Sequence, residues 1–79
     1  MRNSVKQFAN AMEKKLQLND HKGCYGWTGD EKMELFSKLA NEMIELSISI
    51  AEKDEESIRS EACDIANYAM MIWDHRSVN

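Results

Sequence analysis

The sequence contains no proline, and its three glycines, Gly23, Gly26 and Gly29, all fall within one short stretch. With the two strongest helix breakers missing elsewhere, the chain reads as helix on either side of a single glycine-punctuated loop. There are two cysteines, Cys24 and Cys63, too few for a disulfide framework. Long apolar runs are absent too: Met1-Arg2-Asn3-Ser4-Val5-Lys6 leads into nothing that reads as a signal peptide or a membrane span. The expectation is a cytoplasmic protein with reduced thiols and no membrane partner. Basic excess is lacking as well. Ten Lys and Arg stand against 14 Asp and Glu, for a net charge of −4, and no basic stripe forms, which disfavours binding to duplex nucleic acid. An acidic protein can still take a polyphosphate when a divalent ion lies between them. Shortness is the last deficit. A chain of 79 residues makes one domain, 1–79, and buries only roughly 60% of its unfolded surface. Chains of that size commonly need a metal or self-association as reinforcement.

What is present is helical periodicity. Val5, Phe8, Ala9, Met12 and Leu16 give residues 4–18 one apolar face, with Lys6, Glu13, Lys14 and Lys15 read as the other side. Residues 19–30 form the loop, and Thr28 or Asp30 can cap the helix after it. In residues 31–52, Phe36, Leu39, Met43, Leu46 and Ile50 recur at the spacing of a bundle seam. A second row, Ala40, Ile44, Ile48 and Ala51, lies beside it. At about 100° per residue the two rows span more than half the helix circumference, more than one neighbouring helix can cover. A second subunit is therefore expected. The acid-rich turn Glu52-Lys53-Asp54-Glu55-Glu56-Ser57 introduces a third helix over 55–74, its apolar face made of Ile58, Ala62, Ile65, Ala69, Ile72 and Trp73. The tail 75–79 is expected to fray. The fold class is thus all-α: a short N-terminal helix and an antiparallel helix pair, assembling as a dimer into a four-helix bundle, with a tetramer as the next step.

Two acid pairs sit in those last two helices, Glu42 with Glu45 and Glu61 with Asp64. Each is spaced i, i+3, so both carboxylates leave one side of the helix about a turn apart. The intervening residues, 46–60, suffice to end one helix, turn, and start its antiparallel neighbour. Four carboxylates brought together repel and call for a cation, and hard oxygen ligands select Mg²⁺ or Mn²⁺. Acids at this spacing on surface helices are ordinary, so the weight rests on their position. Glu42 falls at the margin of its apolar arc and Glu45 on the polar side. Glu61 lies on the flank of a buried face between Ile58, Ile65 and Tyr68, where a lone carboxylate costs several kcal/mol or becomes protonated. Glu61 needs a partner, a Lys, an Arg or a metal. His21 and Cys24 have zinc-like spacing but no second ligand pair. No Ser-His-Asp or Cys-His arrangement is supported. Met70 and Met71 read as packing residues.

E-x-x-E followed at this distance by E-x-x-D resembles the MazG-like all-α nucleotide pyrophosphohydrolases. The residues that match are Glu42, Glu45, Glu61 and Asp64. The loop His21-Lys22-Gly23-Cys24-Tyr25-Gly26-Trp27 is similar to the Lys-Gly…Gly-Trp segment ahead of the first acidic helix in small, phage-type members. Asp64-Ile65-Ala66-Asn67-Tyr68-Ala69-Met70-Met71-Ile72 is similar to their closing helix. The resemblance covers about residues 20–75, and the first helix adds little to it. Where that family often opens its first motif with two adjacent acids, this chain has Asn41 before Glu42. The resemblance implies Mg²⁺-dependent hydrolysis of a (deoxy)nucleoside triphosphate to the monophosphate and pyrophosphate. Glu42, Glu45, Glu61 and Asp64 would serve as metal-binding and catalytic acids. It also implies Lys22 on the phosphates, Trp27 stacked on the base, and Tyr68 donating to sugar or phosphate. Two rival readings are a nucleotide-binding or regulatory module with little hydrolysis, and a purely structural helical interaction protein whose acids are solvated.

Overall fold

The computed structural model describes residues 1–18 and 32–75, and among them the chain is three α-helices with no strand: α1 Asn3–Leu18, α2 Lys32–Glu52 and α3 Glu55–Asp74. Their limits fall within one residue of those read from the periodicity. The expected loop, with Lys22 and Trp27, lies outside the described residues, as does most of the tail.

The reversal between α2 and α3 needs only Lys53 and Asp54. The Asp54 amide donates to Ser49 O at 3.1 Å and the Lys53 amide to Ile50 O at 3.1 Å. This is the double bond pattern that closes a helix when the residue past its end turns left-handed. Lys53 takes that role with φ 60°, although no glycine is available there. Asp54 then opens α3: one carboxylate oxygen accepts from the Ser57 amide at 3.2 Å and the other from Ser57 Oγ at 2.9 Å. Those bonds, the one from the Ser57 amide foremost, hold the Asp54 carboxyl below its ordinary value. Asp54 is thus a structural acid of this turn.

Pairing across the turn is antiparallel, since Ser49 near the end of α2 bonds Glu61 near the start of α3. Farther from the turn on both helices, Glu42 feels the charge of Asp64. The α2 stripe that meets α3 is Leu35, Leu39, Glu42, Leu46 and Ser49, with Leu35 at 1% and Ser49 at 5% exposure the most buried. This corrects the seam expected from hydrophobicity. Leu39 and Leu46 belong to it, whereas Phe36, Met43 and Ile50 are exposed. With Met33, Ile44 and Ile48, also exposed, they form a broad apolar face turned away from α3, about 160° wide at 100° per residue. Two serines within that arc satisfy their hydroxyls on their own helix, Ser37 on Met33 O at 3.0 Å and Ser47 on Ile44 O at 2.6 Å.

On α3 the buried positions are Cys63 and Asn67, while Ala69 and Trp73 point outward, Trp73 at 84% exposure. The expected apolar face therefore narrows to Ile58, Ala62, Ile65 and Ile72, each half-buried. Helix α1 packs on α3 through Ala11, Met12, Lys15 and Leu16, while Val5, Phe8 and Ala9 remain exposed. Lys15, read from the sequence as belonging to the polar side, lies on the packed side. It follows Phe8 by seven residues, nearly two full turns, so the two share one stripe.

Candidate functional site

The antiparallel pairing brings both acid motifs to one region of the α2–α3 interface. Glu42, Glu61 and Asp64 are half-buried and Glu45 is exposed. The Glu42 carboxyl is pushed above its ordinary value, first by burial, then by the negative charge of Asp64, by Glu45 and by Glu61. All three of the other acids thus act on one carboxylate, and Glu42 Oε2 is buried with no hydrogen-bond partner. A buried, unpaired carboxylate oxygen facing three more acids is the position a hard cation would satisfy. The donor set, oxygen only and contributed from facing helices, suits Mg²⁺ or Mn²⁺. The acids do not close into a cage as they stand: among the described residues no group of three or more His, Cys, Asp and Glu side chains is ready to hold an ion.

Two of the other acids, Glu61 and Asp64, have partners of their own. Ser49 Oγ donates to Glu61 Oε1, so one oxygen of Glu61 has a hydroxyl partner from α2. Lys15 Nζ donates to Asp64 Oδ1 at 3.0 Å, as an ion pair, and to Ser60 Oγ at 2.6 Å. Tyr68, one turn beyond Asp64, lines a cleft of about 70 Å³ between α1 and α3 with Lys15, Leu16, Asp64, Asn67 and Met71. Asn67 is 5% exposed; its amide nitrogen donates to Met12 O at 3.3 Å, and its Oδ1 is buried without a partner.

Sequence reasoning passed over Lys15, Ser49 and Asn67. Ser49 continues the stripe Leu35, Leu39, Glu42, Leu46 at the same 4-3 spacing, which is the signal that could have found it. Asn67 follows Asp64 by three residues, on the α1 side of α3.

No protein-family model matches the chain, and no solved structure matches it. A protein of Archaeoglobus fulgidus described as "Uncharacterized protein" is 36% identical over 52 residues, covering 66% of this chain. The chain spans 56% of that protein's length.

Proposed function

We propose that the chain is a Mg²⁺-dependent nucleoside triphosphate pyrophosphohydrolase of the MazG-like kind it resembles, acting on a (d)NTP to release the monophosphate and pyrophosphate. The observation that carries this reading is the Glu42 carboxylate: half-buried, with an unpartnered oxygen, and loaded by the charges of Asp64, Glu45 and Glu61. Mutual repulsion of four acids destabilises the chain unless a cation offsets it, so their convergence is better explained by a ligand than by stability.

When bound, Mg²⁺ or Mn²⁺ would neutralise phosphate charge and lower the pKa of a bound water. Glu42, Glu45, Glu61 and Asp64 would hold it. A carboxylate of the same cluster would accept the proton of the attacking water. Water adds across the α–β anhydride, and the bond to the β-phosphate breaks with pyrophosphate as the leaving group. Tyr68 lies beside Asp64 on the same cleft, within reach of a role on sugar or phosphate. Lys22 and Trp27 keep their proposed places, on phosphate and on base.

The assembly proposed with this activity is a dimer built on the exposed α2 face, Phe36, Met43, Ile44, Ile48 and Ile50. An apolar stripe of that width, with its serines bonded internally, fits the helix pair of a second copy in a four-helix bundle. A tetramer would pair two such dimers.

The test is turnover against a panel of ribo- and deoxynucleoside triphosphates with Mg²⁺, reading pyrophosphate and monophosphate directly, on wild type and Glu61→Gln. Pyrophosphate from the wild type alone supports the enzyme. Mg²⁺-nucleotide binding without product moves the assignment to a binding or regulatory module. Neither binding nor product leaves a structural helical protein.

A further inference from the structure

Lys15 reaches the acidic region from α1, the helix that carries neither acid motif, and meets Asp64 and Ser60 together. In the ion pair both side chains are 31% exposed, so the contact lies at the border with solvent. A pair so placed is worth a factor of only about two to five in an equilibrium. It can be exchanged without unfolding the helices. The cleft it borders also holds Asn67, 95% buried by its 5% exposure, with an unpartnered Oδ1. A buried acceptor left unsatisfied beside a charged pair is one that a cation entering the cleft, or the water bound to it, would satisfy.

We infer that Lys15 is an exchangeable internal counter-ion: it holds Asp64 while no divalent cation is present, and passes to the phosphate oxygens of a polyphosphate ligand when the metal takes Asp64. This rests on the metal-site reading of the four acids. An ammonium is a compact point charge on a flexible stem with three donors and no acceptor, suited to moving between carboxylate and phosphate over a short distance. A divalent ion outcompetes it at the carboxylate because it brings twice the charge to several acids at once. Helix α1 thereby becomes part of the ligand site, although the family resemblance lies outside it.

The exchange gives opposite signs to two affinities, which a merely structural lysine does not. Isothermal titration of the full chain with MgCl₂ alone, then with inorganic tripolyphosphate at saturating Mg²⁺, reads both. Lys15→Gln is expected to bind Mg²⁺ about two- to fivefold more tightly and the Mg²⁺-loaded tripolyphosphate more weakly by a similar factor, with Lys15→Arg close to wild type on both. Both affinities falling together, or neither moving, overturns the inference. Should Lys15→Gln lose its helical circular dichroism, Ser60→Ala serves instead. It loosens Lys15 from its docked position without removing charge, so Mg²⁺ binding still tightens, and an unchanged Mg²⁺ affinity overturns the exchange. Wild-type protein that binds no Mg²⁺ overturns the metal-site reading, and this inference with it.

Discussion

Ser49 and Glu61 join the two acid-bearing helices by a side-chain hydrogen bond, with the hydroxyl of a 5% exposed serine donating to the carboxylate. The bond gives the half-buried Glu61 carboxylate a donor from the facing helix. Seven residues before Ser49, on the same stripe of α2, Glu42 has an oxygen with no such donor. The seam between α2 and α3 thus carries Glu61, which has a donor, near the turn and Glu42, with an unsatisfied oxygen, farther along.

Replacing Ser49 by Ala removes the donor and leaves Glu61 to be buried alone. Hydrogen bonds to charged groups contribute about 1.5–3 kcal/mol when buried, and half-burial puts the expected loss near the lower end. Urea unfolding at neutral pH should show the midpoint of Ser49→Ala clearly below wild type. Equal midpoints would mean that Glu61 is held by something other than this bond.

Glu42 should make the metal-free protein less stable as pH rises. Its folded carboxyl binds the proton more tightly than the unfolded one, so over the interval above its ordinary value the native state carries more protons. Stability from this group is present at low pH and is lost as pH rises through the raised folded value. Asp54 works in the other direction, stabilising above its ordinary carboxyl value and losing that contribution as pH falls through its lowered one. Glu42→Gln is therefore expected to raise the metal-free Tm at neutral pH and to reduce the loss of stability as pH rises above the ordinary carboxylate value. A variant with the wild-type pH profile would show that Glu42 is not the strained acid.

Mg²⁺ with a non-hydrolysable nucleoside triphosphate, at about 100 times its dissociation constant, should stabilise the wild type by roughly 2.7 kcal/mol. For a chain of this size that is a rise in Tm of about 10–20 °C. Glu61→Gln should abolish the shift while remaining folded without ligand. A shift that survives the substitution would place the metal elsewhere.

Lys53 adopts φ 60°, a left-handed geometry that costs an L-residue about 1–2 kcal/mol and glycine almost nothing. Part of that gain is offset by the extra freedom glycine has in the unfolded chain. Lys53→Gly should stabilise by about 0.5–1 kcal/mol, seen as a higher urea midpoint with an unchanged slope. Destabilisation would mean that the Lys53 side chain contributes more than its backbone loses.

Ile44→Glu places a charge in the middle of the exposed α2 face. Sedimentation equilibrium should find wild type as a dimer or larger and the variant as a monomer, with a lower Tm. Wild type that sediments as a monomer would remove the four-helix assembly.

The helices and their limits were legible because apolar periodicity, the confinement of glycine to one stretch and the acids ahead of α3 all agree. The clustering of Glu42 with Glu61 and Asp64 was legible too, since a short reversal forces antiparallel neighbours to share a level. The choice of stripe was not. Periodicity measures how wide an apolar face is, and on α2 the most apolar arc is the one turned away from α3. The inward stripe carries Glu42 and Ser49, so reading by hydrophobicity followed Phe36, Met43 and Ile50 instead. Lys15 was misplaced for a related reason: a cation was assigned to solvent by its type, although its register put it beside Phe8. Contacts between helices distant in sequence, such as Lys15 with Asp64 or Met12 with Asn67, depend on rotation and axial offset, which a single strand of letters does not encode.

The two-residue link between α2 and α3 also orders events in time. Contacts across so short a connection close little chain entropy, and helical hairpins with such local contacts form within microseconds to milliseconds. Lys15 and Met12 must instead find partners 49 and 55 residues away, so α1 is expected to dock after the hairpin has formed. Folding is then expected to end with the arrival of Lys15 at Asp64, a slower step than the formation of α2 and α3.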